Sequence, residues 1–329
     1  MGFNVQEEVT VMNSRLQSLE KWYHGLNVNY TSIPELVSGD ASFRKFYRVP
    51  EGILMDAPPA TEKNREFIEL SSLYLKNGVR VPRVKAFNLE DGFLLVEDLG
   101  SVTFANKRTD ENRVSLYNQA VDFLLGMTRV DASGLPAYDG EFILRENGIC
   151  TEWYFNKSRK VNLSEAESRI IARAGELMIA NSLEQPQIAM HRDYHSRNIM
   201  ITGDDGLALV DFQDTVRGPL TYDLASLLLD CYYELPLPEL DGYIERAYGM
   251  YCSCGIIPGV SLEKFRRWLF ITALQRHFKC AGIFNRLHLR DGKPGYLKDI
   301  PLVLKYIDRE TSMFDDFRDL RDLFRKYPQ

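Results

Sequence analysis

Residues 199–212, IMITGDDGLALVDF, read as two short apolar strands joined by an Asp205-Gly206 turn, a β-hairpin set in a stretch whose hydrophobic spacing is otherwise helical. Polar residues crowd both of its ends. HRDYHSRN (191–198) leads into the first strand, and DFQD (211–214) follows the second. This arrangement puts Asp193, Asn198 and Asp211 at the ends of adjacent elements, where their side chains can converge.

Around the hairpin, helical periodicity covers 110–130, 139–158, 164–182, 221–233, 236–250, 261–286, 296–310 and 313–326. The first hundred residues follow a different pattern. A helix over 5–24, with Val9, Met12, Leu16 and Leu19 on one side, precedes the strand-like runs SIPELVS, FRKFYRV and GILMDAP. A helix over about Thr61–Lys76, closed by Asn77-Gly78, and the strands RVKAFNL and FLLVEDL complete an antiparallel sheet carrying one helix. The prediction is an α+β chain in two lobes. Residues 1–99 form a small sheet lobe behind a leading helix, 100–329 a larger, mainly helical lobe, and Glu97–Gly100 the joint. A length of 329 residues, long for a single core, agrees with that division.

Charge and hydropathy exclude several classes. A net charge of -6 gives no general reason to bind nucleic acid or an anionic membrane. No apolar run approaches the ~20 residues of a membrane helix. The start, MGFNVQEEVT, lacks the basic-then-apolar build of a secretion signal, and Gln6 stands where a myristoylation motif wants Ser or Thr. The expected compartment is the cytoplasm, and oligomeric state is not legible. Cys150, Cys231, Cys252, Cys254 and Cys280 read as reduced thiols, since Cys252 and Cys254 have no second Cys/His pair at zinc spacing.

The polar groups flanking the hairpin suit one reaction class. An amide oxygen and a carboxylate make a hard site with few protein ligands, which suits Mg2+ because that ion keeps several waters. A second carboxylate can orient a hydroxyl and take its proton. Phosphoryl transfer needs this combination of positioning and charge neutralisation. H-x-D-x4-N, then a hairpin, then D-F, is the spacing of the catalytic segment in the protein-kinase-like fold. His191 reads as a packing and hydrogen-bonding residue.

The continuation DFQDTVRGPLTYDLASLL resembles the aminoglycoside/choline kinase-like phosphotransferases, whose metal-binding Asp is followed by G-x-P-x-x-Y-D-L-A. Here those residues are Gly218, Pro219, Tyr222, Asp223, Leu224 and Ala225. Within that superfamily, GDASFRKFYRV (39–49), LMDAPPATEKNREF (54–67), GFLLVEDLG (92–100) and the segment 191–228 resemble the bacterial kinases that phosphorylate N-acetylmuramate and N-acetylglucosamine at C1. The resemblance implies a two-lobe protein-kinase-like fold, ATP and Mg2+ as cofactors, and a small-molecule amino-sugar acceptor in cell-wall sugar recycling. It implies Asp193 as the base facing the sugar hydroxyl and Asn198 and Asp211 as Mg2+ ligands. Gly39 and Ser42 of the GDAS turn would meet the nucleotide phosphates, and the Glu97–Leu99 backbone the adenine edge. Arg197 either pairs with Asp193 or touches the transferring phosphoryl group. Arg192 braces the loop, and Asp223 anchors it.

The chain departs from that pattern in its phosphate grip. Where kinase-like folds carry a strand lysine, GILMDAP offers Met55, and GDAS holds a single glycine. Alternation along SFRKFYRV puts Arg44, Phe46 and Arg48 on one face. Arg44, nearest GDAS, is the expected phosphate cation, its guanidinium suited to bidentate binding, with Lys63 and Arg65 as competitors. Glu66 or Glu69 is its expected partner. Nine Lys/Arg in 261–298, against Glu263 and Asp291, favour an acceptor bearing a carboxylate over a polycationic aminoglycoside, although the same charges also read as a solvated helix face. Trp153 fits either a sugar platform or core packing, with Glu152 beside it as a hydroxyl partner. The rival readings are a kinase of another hydroxylated metabolite or aminoglycoside, and a catalytically dead nucleotide-binding scaffold, which Met55 favours.

Overall fold

The computed structural model describes residues 5–26, 35–38 and 43–328, with side chains from Ser14 onward in the first helix. Gly39 and Ser42 lie outside the described residues, as do the side chains of Val9 and Met12. The elements run α1 (Val5–His24), β1 (Glu35–Ser38), β2 (Lys45–Val49), β3 (Gly52–Asp56), α2 (Asn64–Lys76), β4 (Val84–Asn88) and β5 (Phe93–Val96). Then come α3 (Phe104–Lys107), α4 (Arg113–Met127), α5 (Gly140–Cys150), α6 (Glu165–Leu183), β6 (Gln187–Met190), β7 (Ile199–Ile201), β8 (Leu207–Leu209) and β9 (Val216–Pro219). Helices α7 (Tyr222–Leu228), α8 (Leu237–Ser253), α9 (Leu262–Leu289), α10 (Ile300–Ser312) and α11 (Arg318–Lys326) close the chain.

Two compact units result, Met1–Val102 with Met200–Gln213, and Thr103–Ile199 with Asp214–Gln329. In the first, the strands form an antiparallel sheet in the order β1-β2-β3-β5-β4. Leu54 pairs with Tyr47 on one side and Leu95 on the other. These three, with Val49 and Phe93, bury against Leu19 and Tyr23 of α1, with half-buried Leu16 at the edge. At the turn between β4 and β5 the chain needs a residue without Cβ. Gly92 has φ +75°, and a Cβ there would sit 2.1 Å from the Ala57 oxygen.

Helix α2 starts three residues later than its apolar spacing suggests. Thr61 and Glu62 both donate their N–H to the Pro58 oxygen at 3.0 Å, so the Pro58-Pro59 turn continues through Glu62. The helix ends at Asn77 as expected, with Gly78 at φ +77°. Hairpin segment 200–213, which the sequence groups with the helical lobe, belongs to this unit. Ile201 N–H donates to the Val102 oxygen at 2.8 Å and Leu209 N–H to the Arg80 oxygen at 2.9 Å.

The second unit is built on α9, 28 residues long and buried on nearly every side. Its central turns carry Gln275, Arg276, His277 and Lys279 into the interior. At Gly282 a Cβ would lie 2.5 Å from the Ile149 backbone, so α9 and α5 approach closely there. The predicted helix 139–158 changes form midway, to a wider π-helical stretch over Thr151–Ser158. Segments 296–310 and 313–326 begin as 3-10 turns before α10 and α11. The predicted helix 221–233 stops at Leu228, because Asp230 turns inward to accept hydrogen bonds from other parts of the unit. Val216–Pro219, not read as a strand in the sequence, pairs antiparallel with β6. Among the described residues no helix is long and apolar enough to cross a membrane. All five cysteines are free, and among the described residues no cluster of three or more His, Cys, Asp and Glu is placed to hold a metal.

Candidate active site

The segment His191–Asn198 is held from beneath by two buried carboxylates. Asp223, in the first turn of α7, accepts the His191 N–H at 2.7 Å and the Arg192 N–H at 2.9 Å. Asp230 accepts the Ser196 N–H at 3.1 Å, its hydroxyl at 2.6 Å, and the Tyr232 N–H at 3.0 Å. Carboxylates that accept backbone donors in this way fix a loop more firmly than neutral partners do. Tyr194 adds a hydrogen bond from its hydroxyl to the Ala120 oxygen at 2.8 Å. Arg192 takes the left-handed conformation, φ +78°, a strained choice for a side chain of its size. Its guanidinium donates to Glu146 at 2.8 Å and lies over the Phe142 ring. The expected roles of Asp223 as anchor and Arg192 as brace match these contacts.

Asp193 stands at the centre of that loop. His191, fully buried, accepts the Asp193 N–H on its Nδ1 at 3.3 Å, a packing and hydrogen-bonding position. Asn198 donates its amide to the Asp193 backbone oxygen at 3.0 Å. With the Nδ2 so committed, the Asn198 Oδ1 is the atom left to act as an acceptor. Burial alone would raise the Asp193 carboxyl. Lys279 first, then His195, Arg192 and Arg276, outweigh it and hold the group at about 2.

Beneath the loop lies a polar network that sequence reasoning missed. Glu146, 4% exposed, accepts from Arg192, from the Tyr138 hydroxyl at 2.5 Å, from Gln275 at 3.0 Å and from Lys279 at 3.4 Å. Lys279 also donates to the Tyr222 hydroxyl at 2.9 Å. Every heteroatom of the Glu146 carboxylate is thereby satisfied, as a charge so deeply placed requires. The partners lie 8 to 133 residues apart in sequence, so no local spacing marks them.

Six of the nine cations in 261–298 fall into two kinds. Lys264, Arg266, Arg267 and Arg290 pair on the surface with Glu184, Asp241, Asp316 and Asp291. Arg276 and Lys279 are interior, 3% and 4% exposed. Trp153 is half-buried beneath Lys157, and Glu152 is exposed. Arg197 is not paired with Asp193, which corrects one of its two expected roles. Its guanidinium lies 3.4 Å from the centre of the Tyr232 ring instead. The preceding sequence cannot reveal this, because Tyr232 is 35 positions away and follows the turn at Asp230.

In the sheet unit, Arg44 is buried at 8% exposure, whereas Lys63 and Arg65 are exposed. Its Nε donates to Glu62 at 2.7 Å, and its Nη1 lies 3.8 Å from Asp211. Among the described residues its close carboxylate is therefore Glu62, in the turn before α2, and not the exposed Glu66 or Glu69 on the helix. Met55 is wholly buried in β3 between Phe46 and Leu94. Asp211 has φ +64°, and Gln213 donates to its Oδ1 at 2.7 Å. The next residue, Phe212, stacks on Phe67 at 4.6 Å and meets the edge of Tyr74 at 5.9 Å, fixing where Asp211 can point.

At the end of β5, Glu97 is more committed than expected. Its N–H donates to the Arg83 oxygen at 2.9 Å, and its carboxylate takes Arg80 at 2.6 Å. That donor is therefore unavailable to a ligand. Leu99 packs with Met200, Ala208 and Val210 in a small apolar cluster.

A profile of the phosphotransferase enzyme family matches residues 34–260. The N-acetylmuramate/N-acetylglucosamine kinase of Pseudomonas aeruginosa is 36% identical over 297 residues, covering 89% of this chain and 88% of that protein. The protein of the same name from Neisseria meningitidis is 31% identical over 294 residues, covering 86% and 87%. Among solved structures, choline kinase LicA from Streptococcus pneumoniae matches with TM-score 0.63 at 15% identity, over 89% of this chain and 99% of that one. The GDP complex of aminoglycoside 2'-phosphotransferase-IIIa matches with TM-score 0.63 at 13% identity, over 91% and 99%. At such identities the likeness is one of fold, the protein-kinase-like α+β architecture with a small antiparallel-sheet lobe and a larger helical one. With its family profile spanning more than two thirds of the residues and relatives above 30% identity along nearly the whole length, this chain belongs to the phosphotransferase enzyme family.

Proposed function

We propose that the chain is a kinase that transfers the terminal phosphoryl group of ATP to the anomeric hydroxyl of an N-acetyl amino sugar, N-acetylmuramate or N-acetylglucosamine. Such a step would serve cell-wall sugar recycling in the cytoplasm. The observation that carries the reading is the 36% identity, over 89% of the chain, to a protein named for those two sugars. The chemistry of the residues supports it. Asp193 is kept ionised by its cationic neighbours, so its carboxylate can accept a hydrogen bond from the acceptor hydroxyl and then the proton. The sugar oxygen forms the new bond to phosphorus as the bond to the nucleotide's bridging oxygen breaks, and ADP leaves. A strongly acidic carboxyl is a weak base. It suits an anomeric hydroxyl, more acidic than an ordinary alcohol, and a transition state in which the proton moves late.

Arg44 takes the place of the strand lysine in this reading. Buried beside Glu62 and within reach of Asp211, it would bring a guanidinium fork to the nucleotide phosphates. Leu99 and its apolar neighbours would take the adenine. Asn198 and Asp211 would be the Mg2+ ligands in this reading: an amide oxygen and a half-exposed carboxylate are hard donors of the kind that ion takes. The ion, when bound, would neutralise phosphate charge. With Arg44 in the lysine's role, the dead-scaffold alternative would lose its main argument.

Incubation with ATP, Mg2+ and a panel of N-acetylmuramate, N-acetylglucosamine, aminoglycosides, choline and ethanolamine tests the proposal, with phosphorus NMR reading the product. A sugar 1-phosphate is expected. Turnover of another alcohol with none of either amino sugar would reject it.

A further inference from the structure

Arg197 follows Ser196 of the anchored loop and precedes Asn198, yet its side chain runs away from Asp193. Its guanidinium carbon lies over the Tyr232 ring, 3.4 Å from the ring centre, and the residue is exposed. Tyr232 is itself fixed. Its N–H is held by Asp230, the His195 ring meets it edge-on at 5.4 Å, and Phe284 of α9 stacks on it at 6.0 Å. A guanidinium resting on an aromatic face has its plane defined while its N–H edges point outward. Among the described residues Arg197 makes no hydrogen bond and no ion pair.

Near enough to feel its charge is Asp299, the residue that precedes the first turn of α10. Aspartate at such a position ordinarily caps the helix, but this one makes no side-chain hydrogen bond to the helix N–H groups. Its Oδ2 is shut off from solvent and has no partner among the described residues. Burial raises its carboxyl, against the pull of Arg197 and Lys298. A buried acceptor with no donor is costly unless something else supplies one. One helical unit thus presents a preoriented fork of donors and an unsatisfied acceptor beside the loop that carries Asp193.

We infer that Arg197, stacked on Tyr232, is the specificity-determining residue that binds the acceptor's carboxylate, and that Asp299 takes a hydroxyl or amide N–H of the same acceptor. This rests on the amino-sugar reading and deepens it. N-acetylmuramate carries a lactyl carboxylate and N-acetylglucosamine does not, while both carry hydroxyls and an acetamide. Arg197 therefore acts on one sugar only, and Asp299 on both. The assignment also replaces the phosphoryl contact expected of Arg197, since its neighbours are Tyr232 and Asp299.

The test compares the two sugars in the full-length enzyme. For Arg197→Gln, the ratio of kcat/KM for N-acetylmuramate to that for N-acetylglucosamine should fall about 10- to 100-fold, carried by KM. Tyr232→Leu should lower the same ratio by freeing the guanidinium. Asp299→Asn should lower both specificity constants together, leaving the ratio as it was. Arg197→Lys, which keeps charge without the fork, serves if the Gln variant fails to fold, and its ratio should also fall. A ratio unchanged in the Arg197 variants, or a loss in kcat shared by both sugars, would overturn the assignment. A wild-type enzyme that phosphorylates neither sugar would instead refute the underlying function, so the two failures are distinct.

Discussion

Replacing Arg44 with Met removes one partner of a nearly dry ion pair. The side chains of Arg44 and Glu62 are 9% and 7% exposed, and 2.7 Å separates Nε from the carboxylate. Stranding a buried carboxylate in this way costs about 3–5 kcal/mol, whereas removing both charges together is often near neutral. Arg44→Met should therefore lower unfolding stability by about 3–5 kcal/mol, and Arg44→Met with Glu62→Leu should recover most of it. Nucleotide binding should behave differently. Loss of a charge-assisted phosphate contact is worth about 1.5–3 kcal/mol, so the KM for ATP should rise roughly 10- to 100-fold in both variants. Urea unfolding reads the first quantity and a coupled ADP-release assay the second. If the double variant regains its ATP affinity along with its stability, Arg44 is a structural residue and another cation grips the phosphates. A single variant as stable as the parent would refute the buried-pair argument itself.

Asp223→Ala should leave the His191 and Arg192 N–H groups buried without an acceptor, lowering stability by about 2–6 kcal/mol in denaturant titration, with Asp223→Asn between the two. Glu167, at the start of α6, accepts from Ser164, Lys326 and Tyr327, and the Lys326 hydrogen bond first of all holds its carboxyl at about 2 against an ordinary 4.5. Because the folded value is depressed, the stability it confers is complete above pH 4.5 and is lost as pH falls toward 2. The stability difference between the parent and Glu167→Gln, followed by unfolding against pH, should shrink over that window, and a difference independent of pH would contradict the assignment.

What was legible in the sequence was local. Hairpin 199–209, the H-x-D-x4-N spacing before it and the D-F after it lie within about twenty residues, and each is specified by a turn or a cap that neighbouring residues provide. Helix α9 is legible for the same reason, since its apolar period continues without a breaker. The partner of Arg44 was not legible, because the Pro58-Pro59 turn holds Glu62 outside α2 and periodicity assigns the pairing to the helix. Nor was the network around Glu146, whose members come from α5, the Asp193 loop, α7 and α9 and meet only through tertiary packing. Arg197 illustrates the limit best. Its type and position suggest an electrostatic partner nearby, but the chain turns at Asp230 and offers an aromatic face.

Phosphoryl transfer in this enzyme depends first on Asp193 as the group that receives the acceptor's proton. Asp193→Asn keeps the shape of the side chain and removes its charge. With the nucleotide's dissociation constant held within about threefold by calorimetric titration, kcat for N-acetylmuramate should fall by about 10²–10⁴. A variant that turns over at the parent rate while binding nucleotide equally well would contradict it.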